Sequence, residues 1–229
     1  MKLTAQNGSS GQALVWDWPL RVFHWALALA VAGSFATHYA GIEWATWHRR
    51  CGYAALVLIV FRLAWGFLGT QHARFASFLR GPAAVFDYLL GRQAYPAAGH
   101  NPLGGLSVVA FLLVLVVQAT TGLFANDEIA NAGPFYGWIT PETSNRLTSL
   151  HAINSKVLLV LIVLHLAAVA WYDIVRRQGL VRAFWTGRKA GADGIDSSRG
   201  ARAVLIVVVL IVALALAIRA APEATISLF

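Results

Sequence analysis

Histidine is the residue type on which the chemistry of this chain turns, because several of its seven histidines lie in or beside long apolar runs. An ionisable side chain inside a membrane span is costly to hold and by default marks function. His151 and His165 stand fourteen residues apart in one such run. At about 1.5 Å and about 100° per residue, that is roughly 21 Å along a helix and within about 40° of one face. One helix thus offers two imidazoles to two depths. His24 lies in a run of opposite direction at the depth of His165, and His48 opens a run at the depth of His151. His38, fourteen residues beyond His24, reaches the same outer depth, so spacing leaves His38 and His48 as alternatives there. Two imidazoles facing each other from different helices are the axial set of a flat iron porphyrin, and helix bundles hold such groups in their cores.

Other uses of these histidines fit less well. A single buried histidine bonded to backbone is common, but four at two matched depths are poorly explained that way. A divalent-metal transporter would also use histidine, yet such pathways combine it with intramembrane carboxylates, and the apolar runs carry essentially none. Cys51 is alone and there is no C-x-x-C-H, so a haem in this chain is expected to be noncovalent. His72 and His100 fall in inner loops and read as solvated surface residues.

The elements that must position these rings are membrane helices. Of 229 residues, 58% are hydrophobic and 12% charged, with a mean hydropathy of +0.62; soluble domains carry about 25% charged residues. Five apolar stretches approach the length of a span: 20–40, 51–68, 103–125, 150–171 and 203–218. With the N-terminus inside, twelve Lys and Arg fall in inner segments and four in outer ones, Arg49, Arg50, Arg146 and Arg219. Cytoplasmic segments are the ones enriched in these residues, so the expected topology is N-terminus cytoplasmic and C-terminus periplasmic. The net charge of +8 is explained by topology, not by nucleic acid, because no basic patch is interleaved with exposed aromatics. Residues 1–18 lack the apolar core of a cleaved signal peptide. The arginine- and aromatic-rich segment 74–92 is expected to form a short surface helix with Pro82 in its first turn. Residues 187–200, rich in Gly, Ser and Asp, read as a linker.

Several motifs combine into a resemblance. Trp16-Asp17-Trp18-Pro19-Leu20-Arg21-Val22-Phe23-His24-Trp25, His48-x-x-x-Gly52-Tyr53, Phe61-Arg62-Leu63-Ala64-Trp65-Gly66, Gly99-His100-Asn101-Pro102-Leu103-Gly104-Gly105, Leu164-His165 and Thr186-Gly187-Arg188-Lys189 occur in that order. Together they resemble the bacterial cytochrome b561 family, which includes the b-type cytochrome subunit of nickel-iron hydrogenases. The resemblance runs from Val15 to Lys189. It implies an all-α integral membrane four-helix bundle holding two b haems, with His24, His48, His151 and His165 as axial ligands, and it selects His48 over His38. It also implies electron transfer between a membrane quinone and a partner protein, either a periplasmic cytochrome c or a hydrogenase-like subunit. The fifth span lies outside it. The expected division is a dihaem domain over 1–189, a linker over 190–202, and an added helix and outer tail over 203–229.

Two histidines on each iron leave no vacant position for oxygen, so electron transfer is the chemistry expected, as a component of a quinone-linked oxidoreductase in the bacterial inner membrane. Haem propionates need cationic partners in low dielectric. Arg62, fourteen residues from His48 and in an apolar run, is the strongest candidate at the inner haem, with Arg21 beside it; Arg49 and Arg50 are candidates at the outer one. Lys156 is intramembrane and faces a propionate, a quinone or another subunit. Gly33, Gly104, Gly105 and Gly122 read as close-approach residues, Gly52 and Gly66 as room for a macrocycle, and Gln118, Thr120 and Thr121 as interhelical or quinone-bonding groups. The alternative to an electron carrier is a membrane anchor whose haem is mainly structural.

Overall fold

The computed structural model describes residues 12–92, 99, 101–129, 131–190 and 199–222. His100 and the middle of the expected linker lie outside them. Five long helices carry the apolar runs: α1 (Trp18–Ala40), α2 (Ala45–Leu68), α5 (Pro102–Phe124), α6 (Pro141–Ala170) and α8 (Gly200–Ala220). The shorter α3 (Phe75–Phe78) and α4 (Pro82–Leu89) lie between α2 and α5, and α7 (Leu180–Thr186) follows a π-turn at Trp171–Val175. Each long helix meets the length and hydropathy of a membrane span, and large apolar side chains such as Leu29, Val163, Leu164 and Leu205 face outward. The chain is an all-α membrane helical bundle.

Helix starts follow local chemistry. Asp17, Asn101 and Thr140 each place a side-chain oxygen on a first-turn N–H, that of Leu20 (2.8 Å), Gly104 (2.7 Å) and Thr143 (3.3 Å). In each case a single proline occupies the first or second helical position, where its missing N–H costs nothing. The segment expected to form one short helix forms two, α3 and α4, with Pro82 as the first residue of α4.

Two apolar clusters form the core. One joins α1, α2, α5 and α6 through Ala30, Ala55, Ile59, Leu112, Leu115 and Leu158. The other lies at the end of the bundle where α1 begins and α2 ends, termed inner after the expected topology, where Trp16, Leu20, Phe23, Phe61 and Trp65 pack with Ala203 of α8. The fifth helix therefore shares a core with the first two. Arg199 Nη1 donates to the Leu68 carbonyl at 3.2 Å, tying the start of α8 to the end of α2.

A feature with no counterpart in the hydropathy pattern is a two-stranded antiparallel ribbon, β1 (Gln12–Leu14) with β2 (Arg188–Ala190). The Gly187 carbonyl extends it by accepting from Val15 N (2.8 Å) and Trp16 N (3.1 Å). Gly187 adopts φ +77°, and a Cβ there would meet the Trp16 carbonyl oxygen at 2.7 Å. The ribbon pins the N-terminal entry of α1 to the exit of α7.

Candidate haem-binding site

The four helices α1, α2, α5 and α6 bring the predicted histidines together in two levels. At the inner level the rings of His24 on α1 and His165 on α6 have centroids 6.5 Å apart with planes at 51°. At the outer level His48 on α2 and His151 on α6 stand 6.3 Å apart at 78°. An imidazole nitrogen binds a metal at about 2.0–2.1 Å and the ring centre lies roughly 1.1 Å beyond, so trans imidazoles put their centres about 6.3 Å apart. Both pairs have the separation of two ligands on one metal ion.

The outer pair is oriented by backbone carbonyls. His48 Nδ1 lies 2.9 Å from the Ser34 carbonyl oxygen and His151 Nδ1 lies 3.0 Å from that of Gln118. A carbonyl only accepts, so both Nδ1 atoms carry the proton and each Nε2 is left as an acceptor. Fixing the tautomer through the second ring nitrogen is how ligating histidines are usually held. At His151 the Gln118 side-chain amide donates to Nε2 at 3.0 Å, while the Gln118 Oε1 accepts from buried Asn154 at 2.6 Å. Thr121, buried, contacts Nδ1 at 3.1 Å. Gln118 and Thr121 are thus engaged between helices α5 and α6. Gly122 makes room for this ring, since a Cβ there would lie 3.1 Å from His151 Cε1.

The inner pair differs. His24 Nδ1 is buried with no hydrogen-bond partner, and its ring meets Trp25 and Phe184 edge-on at 5.2 and 4.8 Å. Phe111 lies edge-on to His165 at 5.4 Å. Two aromatic walls from α5 and α7 therefore flank the inner imidazoles.

Arg62 is 2% exposed, and its Nη1 and Nη2 are buried without partners. Its guanidinium lies over the rings of Phe75 (4.9 Å) and Phe78 (5.8 Å) on α3. Cation–π contact offsets part of its desolvation, but the two Nη atoms still call for an anion. Arg21 Nη1 donates to the Trp185 carbonyl at 2.6 Å, and its Nε is buried without a partner. Arg49 is engaged by Asn131 (3.0 Å) and Thr46 (3.2 Å), and Arg50 lies over Trp47 at 4.7 Å.

Residue-type reasoning missed Asp17, which is fully buried. Its Oδ1 caps α1, and its Oδ2 accepts from Trp65 Nε1 (3.0 Å) and Thr70 Oγ1 (2.7 Å). The Asp-x-Pro spacing at the head of α1 was a signal for the cap but not for the partners on α2. Below the inner level, Asn101 donates to Tyr88 at 2.9 Å and Tyr88 contacts the Tyr172 hydroxyl at 3.1 Å. Burial, then the bond to Tyr172, pushes the Tyr88 phenol up to about 12, so it stays protonated and ties α4 to α5 and the end of α6.

The family model for prokaryotic cytochrome b561 matches residues 15–187. The chain belongs to the prokaryotic cytochrome b561 family. Curated relatives agree. It is 25% identical over 217 residues to a probable Ni/Fe-hydrogenase B-type cytochrome subunit of Rhizobium leguminosarum bv. viciae, covering 80% of this chain and 90% of that one. Proteins of the same description match from Azotobacter chroococcum (28% over 201 residues; 73% and 84% covered) and Cupriavidus necator (24% over 223 residues; 82% and 91%). No solved structure matches at a significant level.

A cytochrome b of this family carries electrons across a membrane on b-type haem, and the residues here fit that group. The ring separations suit ligation of one ion by each pair, the outer tautomers make each Nε2 an acceptor, with the Gln118 amide standing on that of His151, and the orphaned Arg62 suits a propionate. Gly52, one turn from His48, opens onto free space, since a Cβ there would meet nothing within 4 Å. Gly66 does not provide such room: a Cβ there would strike the Phe75 ring, so its role is close packing of α3. A third ring, the exposed His38, stands 6.0 Å from His48 and edge-on to Tyr39. Its distance from His48 is also compatible with shared ligation, but the carbonyl-held pair is His48 and His151.

Proposed function

We propose that this chain is a dihaem b-type cytochrome with two bis-histidine haems, linking the membrane quinone pool to a redox partner outside the cytoplasm. His24 and His165 would hold the inner haem, His48 and His151 the outer one, within residues 1–189; α8 is an addition to that unit. The reading is carried by one observation, two imidazole pairs from different helices at 6.5 and 6.3 Å on two levels of one bundle. The relatives described as Ni/Fe-hydrogenase subunits favour a hydrogenase as the partner over a cytochrome c. The charge distribution favours the N-terminus in the cytoplasm and the C-terminus in the periplasm of a bacterial inner membrane.

Each haem, when bound, supplies one-electron chemistry between two-electron quinol and partner. The protein's own part is to bind, orient and exclude. Ser34 and Gln118 carbonyls hold the outer imidazoles as Nε2 ligands. Trp25, Phe111 and Phe184 keep water from the inner ones. Arg62 and the free Nε of Arg21 supply positive charge where a propionate would otherwise be buried unpaired.

The test is spectroscopic. Purified protein should show a reduced-minus-oxidised spectrum of low-spin b haem, two haems per chain, and reduction by quinol. High-spin haem, or fewer than two haems in fully assembled protein, would overturn the dihaem reading. A variant lacking His24 that assembles with its partner yet still transfers electrons would favour the structural-anchor alternative.

A further inference from the structure

The groups around Arg62 carry one step more. Its buried guanidinium has no ion-pair partner among the described residues, and the nearest acidic group tied to its helix is Asp17, bonded to Trp65 three residues further along α2. Asp17 is itself fixed at 0% exposure by three donors: the Leu20 N–H on α1, the Trp65 indole on α2 and the Thr70 hydroxyl beyond α2. Trp65 lies three residues from Arg62, on the same side of α2. It stacks on Phe61 at 5.5 Å, and Phe61 meets Phe23, the neighbour of His24, at 6.1 Å. A fixed negative charge, a fixed positive charge and a histidine thus share one water-poor layer at the inner end of α1 and α2.

We propose that Asp17 is the counter-charge of Arg62 and a potential-setting positioning residue of the inner haem. This rests on the reading that His24 and Arg62 serve that haem. In low dielectric a charge is screened little, so the charge of Arg62 favours the reduced, less positive iron and that of Asp17 the oxidised one, beside whatever a propionate on Arg62 contributes. Asp17 offsets Arg62 while its three hydrogen bonds hold α1 against α2.

Potentiometric titration of the full-length haem-loaded protein tests this, with the outer haem as internal reference. Asp17→Asn keeps the cap but removes the charge, and should raise the inner midpoint while leaving the outer one unmoved. Arg62→Gln should lower it, and the double variant should return it towards the original value. Trp65→Phe keeps both charges and removes one donor; it should lower the melting temperature without shifting the inner midpoint. An inner midpoint indifferent to Asp17→Asn, or both haems shifting equally, overturns the proposal. Should Asp17→Asn lose the inner haem, the double variant decides: recovery of that haem supports charge offset, continued loss overturns it. Fewer than two haems in the unmodified protein overturn the dihaem reading and this proposal with it; two haems with no response to Asp17→Asn overturn this proposal alone.

Discussion

Gln118 grips His151 at both ring nitrogens: its backbone carbonyl accepts from Nδ1 at 3.0 Å and its side-chain amide donates to Nε2 at 3.0 Å. The first contact supports metal ligation and the second competes with it, because the amide sits on the nitrogen a metal would take. Gln118→Leu removes that bond and the one Oε1 accepts from Asn154, and should therefore lower the stability of haem-depleted protein by about 1–3 kcal/mol, the net worth of two hydrogen bonds, while leaving haem stoichiometry unchanged. Thermal unfolding in detergent with and without haem, beside a haem assay, checks this. Loss of the outer haem in this variant would mean that the amide helps to hold it.

Replacement of the paired histidines should separate the two levels. His24→Ala or His165→Ala is expected to halve haem content and spare the outer haem's spectrum; His48→Ala or His151→Ala should do the reverse. His38→Ala should leave both haems in place. Haem extraction against protein concentration measures each, and a full complement of haem in His48→Ala with loss in His38→Ala would reassign the outer ligand.

Gly66 and Gly105 both admit α3. A Cβ at Gly105 would come within 2.9 Å of the Phe78 carbonyl oxygen, and one at Gly66 would strike the Phe75 ring. Gly66→Val or Gly105→Val should displace the aromatic lid over Arg62, with destabilisation of about 1–3 kcal/mol from overpacking. Melting temperature reports the packing loss; cysteine-accessibility labelling at an introduced Arg62→Cys reports the opening of the lid.

Topology has its own test. Alkaline phosphatase fused after Phe229 should be active, since it folds only outside the cytoplasm, and a fusion truncated after Lys189 should be inactive. The opposite pair of results would invert the bundle and exchange its inner and outer levels.

Much of the architecture could be read from residue types, for a physical reason: lipid demands long apolar helices, and fourteen-residue histidine spacing survives any uncertainty in their ends. The ends themselves were less legible. The apolar scan opened the second and fourth spans at Cys51 and Leu150, whereas α2 begins at Ala45 and α6 at Pro141. Polar first turns such as Thr46–Arg50 and Glu142–Ser149 continue the helix beyond the apolar stretch, and hydropathy senses lipid, not backbone hydrogen bonds. The Asp17 cluster was invisible because its partners are 48 and 53 residues away. The ribbon of β1 and β2 is three residues on each side, too short for an alternation to register. Arg49 and Arg50 touch Asn131, Thr46 and Trp47, and sequence distance could not foresee the contact with Asn131.

His151 and His165 project from one unbroken rod, so in the proposed dihaem arrangement the vertical gap between the two centres is written into the register of a single helix. Breathing between neighbouring helices tilts one ligand of each pair but cannot stretch that interval. In that arrangement any throttle on electron flow has to act at the doors of the conduit, where a quinol would enter and a partner would dock, and not along its length. Inserting one residue between those two positions would swing one ring about 100° out of line and sever the conduit without touching either ligand.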